Sequence, residues 1–307
     1  MVIKSFQDIL DTLQGQSEKR TVAVVGAEDS HTLKAVIAAW EDGLITPILL
    51  GDRQEIGAVL ASFGRKDTEV EIIDLKDPEE GAREAARLVK KGKADCIMKG
   101  RIHTGALMRV LLDKESDLRT GRLISLVALM EIPTYPKLLG ITDVGIVTYP
   151  TLEQKKALIE NAVEVFHALG VECPKVGVMA AVEEVNPKMK ETVEAATLKE
   201  WNEQGLIRGC LVEGPISYDL AISREAAQKK GYKSEVAGDV DIMLVPDIVS
   251  GNLLAKALVH SAGARTAGMV VGAKVPLVIQ SRSASHEEKY LALALAALVK
   301  SERGWQS

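Results

Sequence analysis

TVAVVGAEDSHTLKAVIAAWEDGLITPILLGD, residues 21–52, reads as strand, helix, strand. TVAVV (21–25) and PILL (47–50) are short aliphatic runs. Between them SHTLKAVIAAWEDG carries apolar residues at helical spacing and closes on Gly43, as helix C-termini often do. Strands joined through a helix pair in parallel within one sheet, because the crossover leaves both running the same way. The alternation continues outward through EVEIID (69–74), DCIM (95–98), KVGVMA (175–180), GCLV (209–212), DIMLVP (241–246) and VPLVIQ (275–280). DPEEGAREAARLVKKG, LEQKKALIENAVEVFHALG and NPKMKETVEAATLKEWNEQG supply helices between them. The chain is therefore expected to be an α/β protein with mostly parallel sheets and crossover helices.

The rhythm breaks between Ile124 and Val147, where SLVALM, KLLGITD and GIV follow one another with turns instead of helices. Consecutive strands of this kind predict antiparallel pairing, and the change of pattern is where the chain leaves one domain for another. A length of 307 residues exceeds the usual single core. With no repeat, low-complexity tract or Pro/Gly-rich linker, two closely packed lobes flanking a cleft are expected.

A net charge of -5 and 4% aromatic residues argue against a nucleic-acid surface built on phosphate neutralisation and base stacking. The opening MVIKSFQDILDTLQ reads as an amphipathic helix, not a basic-then-apolar leader, and no apolar run reaches bilayer length. A cytoplasmic protein without nucleic-acid or membrane partners is expected. Cys96, Cys173 and Cys210 are far apart in apolar surroundings, so all three read as core or near-core thiols. The five histidines show no HExxH or other ligand spacing, and no metal is expected.

In open α/β sheets ligands gather beyond the strand C-termini, where loops enter helix N-termini bearing unpaired N–H groups and partial positive charge. Four such junctions are polar: VVGAEDSH (24–31), IMKGRIHTG (97–105), VPDIVSGN (245–252) and VIQSRSAS (278–285). In the last, Ser285 and Glu288 have capping-box spacing, which leaves Ser281, Arg282 and Ser283 unexplained. An arginine there offers a planar fork suited to phosphate, against the plainer reading of a surface ion pair. In the second, Lys99, Gly100 and Arg101 precede His103 and Thr104 at a helix start, with Arg109 further along. These make a phosphate cradle without the GxxxxGK[ST] order of a P-loop. Ser250, Gly251 and Asn252 read either as a helix N-cap with its preceding turn or as ligand contacts. Glu213 and Asp219, in VEGPISYDLAIS, are either charge partners or site carboxylates. VVGAEDSH lacks GxGxxG, so a nicotinamide fingerprint is missing.

KGRIHTGALMRVLL, LITPILLGD, LVEGPISYDLAIS, DIMLVPDIVSGN and SRSASHEE together resemble the phosphate acetyltransferase and phosphate butyryltransferase family, most closely its butyryl or branched-chain branch. The resemblance covers essentially the whole chain. It implies reversible conversion of acyl-CoA and phosphate into acyl phosphate and CoA, with no permanently bound cofactor. It implies a homodimer or higher homo-oligomer, and a two-lobed fold like that of the isocitrate and isopropylmalate dehydrogenases. The first lobe would comprise residues 1–132 and 274–307 and the second 133–273, with the active site in the cleft. Ser281 and Arg282 match the family's Ser-Arg pair at the acyl-phosphate site. The carboxylate that follows falls on Glu288 by counting, with Glu287 one residue away. His103, Thr104 and Arg109 match a first-lobe loop and helix, and Ser250, Gly251 and Asn252 match a Ser-Gly-Asn turn; Lys99, Gly100 and Ser283 complete the expected substrate contacts.

Two rivals remain. An oxidative decarboxylase of the related dehydrogenase fold needs metal-binding aspartates in a GDxxSD-like pattern, where this chain has Gly251-Asn252-Leu253-Leu254-Ala255-Lys256. A non-catalytic sensor of CoA or phosphate metabolites would not need the Ser-Arg pair and carboxylate that are present. Within the family, acetyl transfer is the alternative to butyryl transfer.

Overall fold

A computed structural model describes residues 2–281 and 284–299. The chain folds as two compact units, one of Gln7–Arg122 with Ala267 and the residues after it, the other of Leu123–Thr266 with the N-terminal residues through Phe6. In chain order the first unit starts with α1 (Phe6–Gln14), β1 (Arg20–Val25), α2 (Ser30–Glu41), β2 (Ile45–Gly51) and α3 (Arg53–Ser62). It continues with β3 (Glu71–Asp74), α4 (Pro78–Lys90), β4 (Cys96–Lys99) and α5 (Thr104–Leu111). The second unit holds β5 (Ser125–Glu131), β6 (Leu139–Thr142), α6 (Leu152–Ala168), β7 (Lys175–Met179), α7 (Lys190–Glu203) and β8 (Leu211–Ile216). After α8 (Tyr218–Ile222) and α9 (Arg224–Lys229) come β9 (Ile242–Leu244) and α10 (Ile248–Ala262). The chain then runs through β10 (Arg265–Val271) into β11 (Leu277–Val278) and α11 (His286–Leu298).

The first unit's strands lie in the order β3-β2-β1-β4-β11-β10. All neighbours pair in parallel except β10 with β11. From β1 the chain builds outward to β3, then returns to the other side of β1 for β4. Right-handed crossovers therefore put α2 and α3 on one face and α4 on the other. Both faces being covered, Val22 to Val25 of β1 are wholly buried, which is why the sequence runs apolar without alternating. Phe6, Ile9 and Leu13, the apolar face expected of α1, are buried as well.

The second unit's strands follow the order β5-β6-β9-β7-β8. The antiparallel pairing read from SLVALM and KLLGITD is present, with Leu129 opposite Gly140. GIV, expected as a strand, is a loop. The reason is Asp143: its buried carboxylate accepts hydrogen bonds from the N–H groups of Leu126 (2.7 Å), Gly145 (2.7 Å) and Ile146 (2.8 Å), turning the chain back on itself. One strand was absent from the sequence reading altogether: β10, RTAGMVV, whose alanine and glycine dilute the β-branched signal.

The cysteine expectation needs one correction. Cys96 and Cys210 are buried, and burial raises both thiols, that of Cys210 to about 12. Cys173 is exposed, because it lies on the turn before β7 begins, ahead of the residues the sheet covers.

Candidate functional site

β1, β4 and β11 are parallel neighbours, with Val25 opposite Lys99 and Met98 opposite Val278. Their C-termini therefore deliver three polar junctions to one end of the first unit's sheet. The strand order reverses between β1 and β4, which is where such sheets open a crevice for ligands. Here two glycines let the backbones close up: Gly100 N–H donates to Val25 O and Arg101 N–H to Gly26 O, both at 2.7 Å. A Cβ at position 100 would stand 2.2 Å from Gly26 O, so only glycine is tolerated there.

Around these glycines stand the basic groups read from KGRIHTG. Lys99 is buried and donates to Gly100 O at 3.3 Å. Arg101 pairs through Nη1 with Glu55 Oε2 (2.8 Å) and through Nε with Glu28 Oε1 (3.4 Å). His103 is the N-cap of α5 and Thr104 its first residue, and both are exposed. Arg109 lies further down α5, 70% exposed, with Nη2 2.5 Å from Glu79 Oε1. It lines a groove of about 450 Å³ with Arg83, Arg87 and Lys90 of α4.

At the β11 junction Ser281 is exposed, and its carbonyl accepts from Ala284 N–H at 3.1 Å. Arg282 and Ser283 lie outside the described residues. The expected capping box is present: Glu288 N–H donates to Ser285 Oγ (3.1 Å) and Ser285 N–H to Glu288 Oε2 (2.7 Å). Glu287, one residue earlier in that first turn, is exposed. Lys289, buried on α11, reaches Asp29 Oδ1 at 3.5 Å. Burial alone would raise the Asp29 carboxyl, but hydrogen bonds from Thr32 and the Lys289 charge hold it below its ordinary value.

The Ser-Gly-Asn segment belongs to the second unit, where α10 begins earlier than the sequence reading allowed. Asp247 is the N-cap, so Ser250 falls at the third helical position. Ser250 N–H donates to Asp247 Oδ1 at 2.9 Å and Asp247 N–H to Ser250 Oγ at 3.3 Å. Gly251 is buried, with Asp143 O 2.8 Å from where a Cβ would sit. Asn252 Nδ2 donates to Val144 O at 3.2 Å. Glu213 and Asp219 are charge partners within the same unit, Glu213 of Lys199 (2.8 Å) and Asp219 of Lys230 (3.3 Å).

The residue that sequence reasoning passed over is Glu28. It sits in the quoted junction VVGAEDSH, yet nothing in its neighbours marks it as buried, and glutamate rarely is. The structure leaves it 9% exposed, with Oε2 lacking any hydrogen-bond partner. Burial raises its carboxyl above the ordinary range, the Arg101 charge opposing and Glu55 and Asp52 reinforcing the shift.

Among the described residues no helix is long and apolar enough to cross a membrane, and no group of three or more His, Cys, Asp or Glu could hold a metal ion.

Solved structures first define the fold class. A 4-hydroxythreonine-4-phosphate dehydrogenase from Burkholderia phymatum matches with a TM-score of 0.56 at 16% identity, covering 94% of this chain and 100% of that one, a likeness of fold alone. A branched-chain phosphotransacylase from Enterococcus faecalis V583 matches with a TM-score of 0.81 at 33% identity, covering 91% and 98%. In sequence, a phosphate acetyltransferase of Thermotoga maritima is 44% identical over 95% of this chain and 98% of its own length. A phosphate butyryltransferase of Clostridium acetobutylicum is 42% identical over 97% and 99%. The family model described as "Phosphate acetyl/butaryl transferase" matches residues 79–297, and the chain belongs to that family.

Proposed function

We propose that the protein catalyses reversible transfer of a short-chain acyl group, butyryl or branched-chain, between acyl-CoA and inorganic phosphate. The observation that carries this reading is the shared exit of the β1, β4 and β11 loops at one end of the first unit's sheet. A glycine-lined strand reversal flanked by Lys99, Arg101, the α5 N-terminus and the Ser281 turn suits phosphoryl groups. The names of the butyryl and branched-chain relatives support that acyl class, and acetyl transfer, which the name of the Thermotoga maritima relative supports, is the alternative.

In the forward direction a phosphate oxygen attacks the thioester carbonyl carbon, the C–S bond breaks, and the CoA thiolate leaves. Both substrates are held together, so a bimolecular attack becomes an effectively unimolecular one. Arg282 binds and orients the phosphate. Glu288 or Glu287 accepts the remaining phosphate proton, since a more fully ionised phosphate is the better nucleophile. Ser281 and a neighbouring backbone N–H stabilise the developing oxyanion or the departing thiolate. Lys99, Gly100, His103, Thr104, Arg109 and Ser283 contact substrate phosphates. The reacting groups belong to the substrates, so no resident cofactor is required.

The working enzyme is a cytoplasmic homodimer or higher homo-oligomer. Exposed apolar side chains on α10, Val249 at 52% and Leu253 at 65%, support self-association. Light scattering of the purified protein checks this, and a monomer at micromolar concentration contradicts it.

Phosphate-dependent CoA release from acetyl-, propionyl-, butyryl-, isobutyryl- and isovaleryl-CoA tests the activity. Highest kcat/KM with a four- or five-carbon thioester is expected. No phosphate-dependent release from any thioester would overturn the proposal.

A further inference from the structure

The mechanism above leaves Glu28 without a role, yet its environment is unusual for a carboxylate. It follows β1 directly at the strand reversal, with its side chain 5% exposed. Oε2 has no partner and lies 2.2 Å from where a Cβ at position 51 would be, so Gly51 at the end of β2 is what makes room for it. Oε1 meets Arg101 Nε at 3.4 Å. Arg101 reaches outward from the β4 junction, 58% exposed, and its Nη1 meets Glu55. One guanidinium at the ligand end of the sheet is thus shared by a buried carboxyl on one side and a solvated one on the other.

The charged groups facing Glu28 are few: Arg101 after β4, and Asp52 and Glu55 at the start of α3. Asp29, next in sequence, also acts on Arg101. With four carboxylates, Glu28 among them, and one guanidinium in the cluster, ionisation of Glu28 changes what Arg101 can offer an incoming anion. Protonated, Glu28 leaves the guanidinium paired directly only with the exposed Glu55, a weak pairing, with the partly exposed Asp29 acting on it as a further charge. Ionised, it competes with the anion for Arg101. A carboxyl that burial disfavours as an anion is poised for that change above the ordinary carboxylate range.

We propose that Glu28 is a positioning residue for phosphoryl recognition, setting through Arg101 how strongly this end of the sheet binds a phosphoryl group of inorganic phosphate or of CoA. The proposal rests on the phosphate acyltransferase reading and deepens it. Arg101 is the direct ligand, and Glu28 acts through it.

The test is steady-state kinetics of phosphate-dependent CoA release for the wild type, Glu28→Gln, Arg101→Ala and the double variant, from about pH 5 to about pH 8.5. Comparing variant with wild type at each pH cancels phosphate's own titration. The wild-type KM for phosphate should exceed that of Glu28→Gln by about threefold at the alkaline end, a discount for the exposed guanidinium included, and the two should converge at the acid end. Arg101→Ala should raise KM, Arg101→Lys should restore part of it, and Glu28→Gln should have no further effect in the Arg101→Ala background.

Arms with butyryl-CoA and its 3′-dephospho analogue separate the phosphate sources. An Arg101 effect on KM for inorganic phosphate assigns the contact to that substrate. An effect on the CoA thioester that vanishes with the dephospho analogue assigns it to the 3′-phosphate. Should Glu28→Gln fail to fold, Glu55→Gln, on the solvent side of the same guanidinium, should lower KM in the same direction. A pH-independent KM ratio, a Glu28→Gln effect that persists without Arg101, or an Arg101→Ala enzyme with both KM values unchanged overturns the proposal while leaving the acyltransferase reading standing. A wild type without phosphate-dependent release overturns both.

Discussion

The two units treat the charges at their strand ends differently. In the second unit nearly every polar group at the β6 and β9 ends is used up by the fold: three backbone N–H groups converge on Asp143, Ser250 closes on Asp247, and Asn252 reaches Val144. At the opposite end of these strands, before β9 begins, Asp239 accepts from Lys175 and Lys137, whose charges outweigh its burial and hold its carboxyl down to about 2. In the first unit a buried carboxyl oxygen lacks a partner, and Ser281, His103 and Thr104 are exposed beside a glycine-lined reversal. Polar groups that the fold buries and pairs build structure; exposed ones at a strand reversal are accessible to a ligand.

That contrast can be broken by mutation. The largest effect belongs to Ser281→Ala, which should keep the wild-type melting temperature and lose about two orders of magnitude in kcat, the cost of one transition-state hydrogen-bond donor. Ser250→Ala should do the reverse, costing about 1 kcal/mol of stability as a capping partner goes, read in a denaturant titration. If Ser250→Ala instead lost turnover at unchanged stability, the division between the units would be wrong.

The two carboxylates of α11 sharpen the comparison further. Glutamine preserves a capping box, so Glu288→Gln isolates the loss of a base from the loss of a cap. A drop in kcat confined to Glu288→Gln or to Glu287→Gln identifies the base. Full activity in both means that phosphate dianion attacks unaided.

Backbone and charge effects are smaller. Gly100→Ala drives a methyl group into Gly26 O and should cost about 2 kcal/mol or more, measured by urea unfolding. For Asp239 and Glu28 the pH dependence of stability should have opposite signs. The pKa of Asp239 is lowered on folding, so its stabilisation, about 2 kcal/mol, is present above pH 4 or so and lost as pH falls toward 2. Asp239→Asn should therefore destabilise at neutral pH and little near pH 2. The pKa of Glu28 is raised, so its ionisation costs stability as pH rises past the ordinary carboxylate range. Glu28→Gln should melt higher relative to wild type at alkaline pH than at acid pH.

Much of this was legible in the sequence, and what was not has identifiable causes. The parallel core was readable because β1, β2 and β4 are buried on both faces and so are continuously apolar. The polar junctions were readable because strand C-termini feeding helix N-termini are marked by glycine and hydroxyl residues. β10 was hidden by its own alanine and glycine, and the start of α10 by Ser-Gly-Asn, which looks like a turn until Asp247 is seen to cap the helix. Glu28 was invisible for a deeper reason: its burial depends on Gly51 and Arg101, far away in sequence, and no local pattern encodes a long-range vacancy.

The central claim is that phosphoryl groups bind at the strand ends of the first unit. A crystal structure with an acyl phosphate bound tests it most directly. The account expects the phosphoryl oxygens about 3 Å from Ser281 Oγ and the Arg282 guanidinium, beside Gly100. An acyl phosphate bound elsewhere, with Ser281 and Arg282 facing bulk solvent, would contradict it.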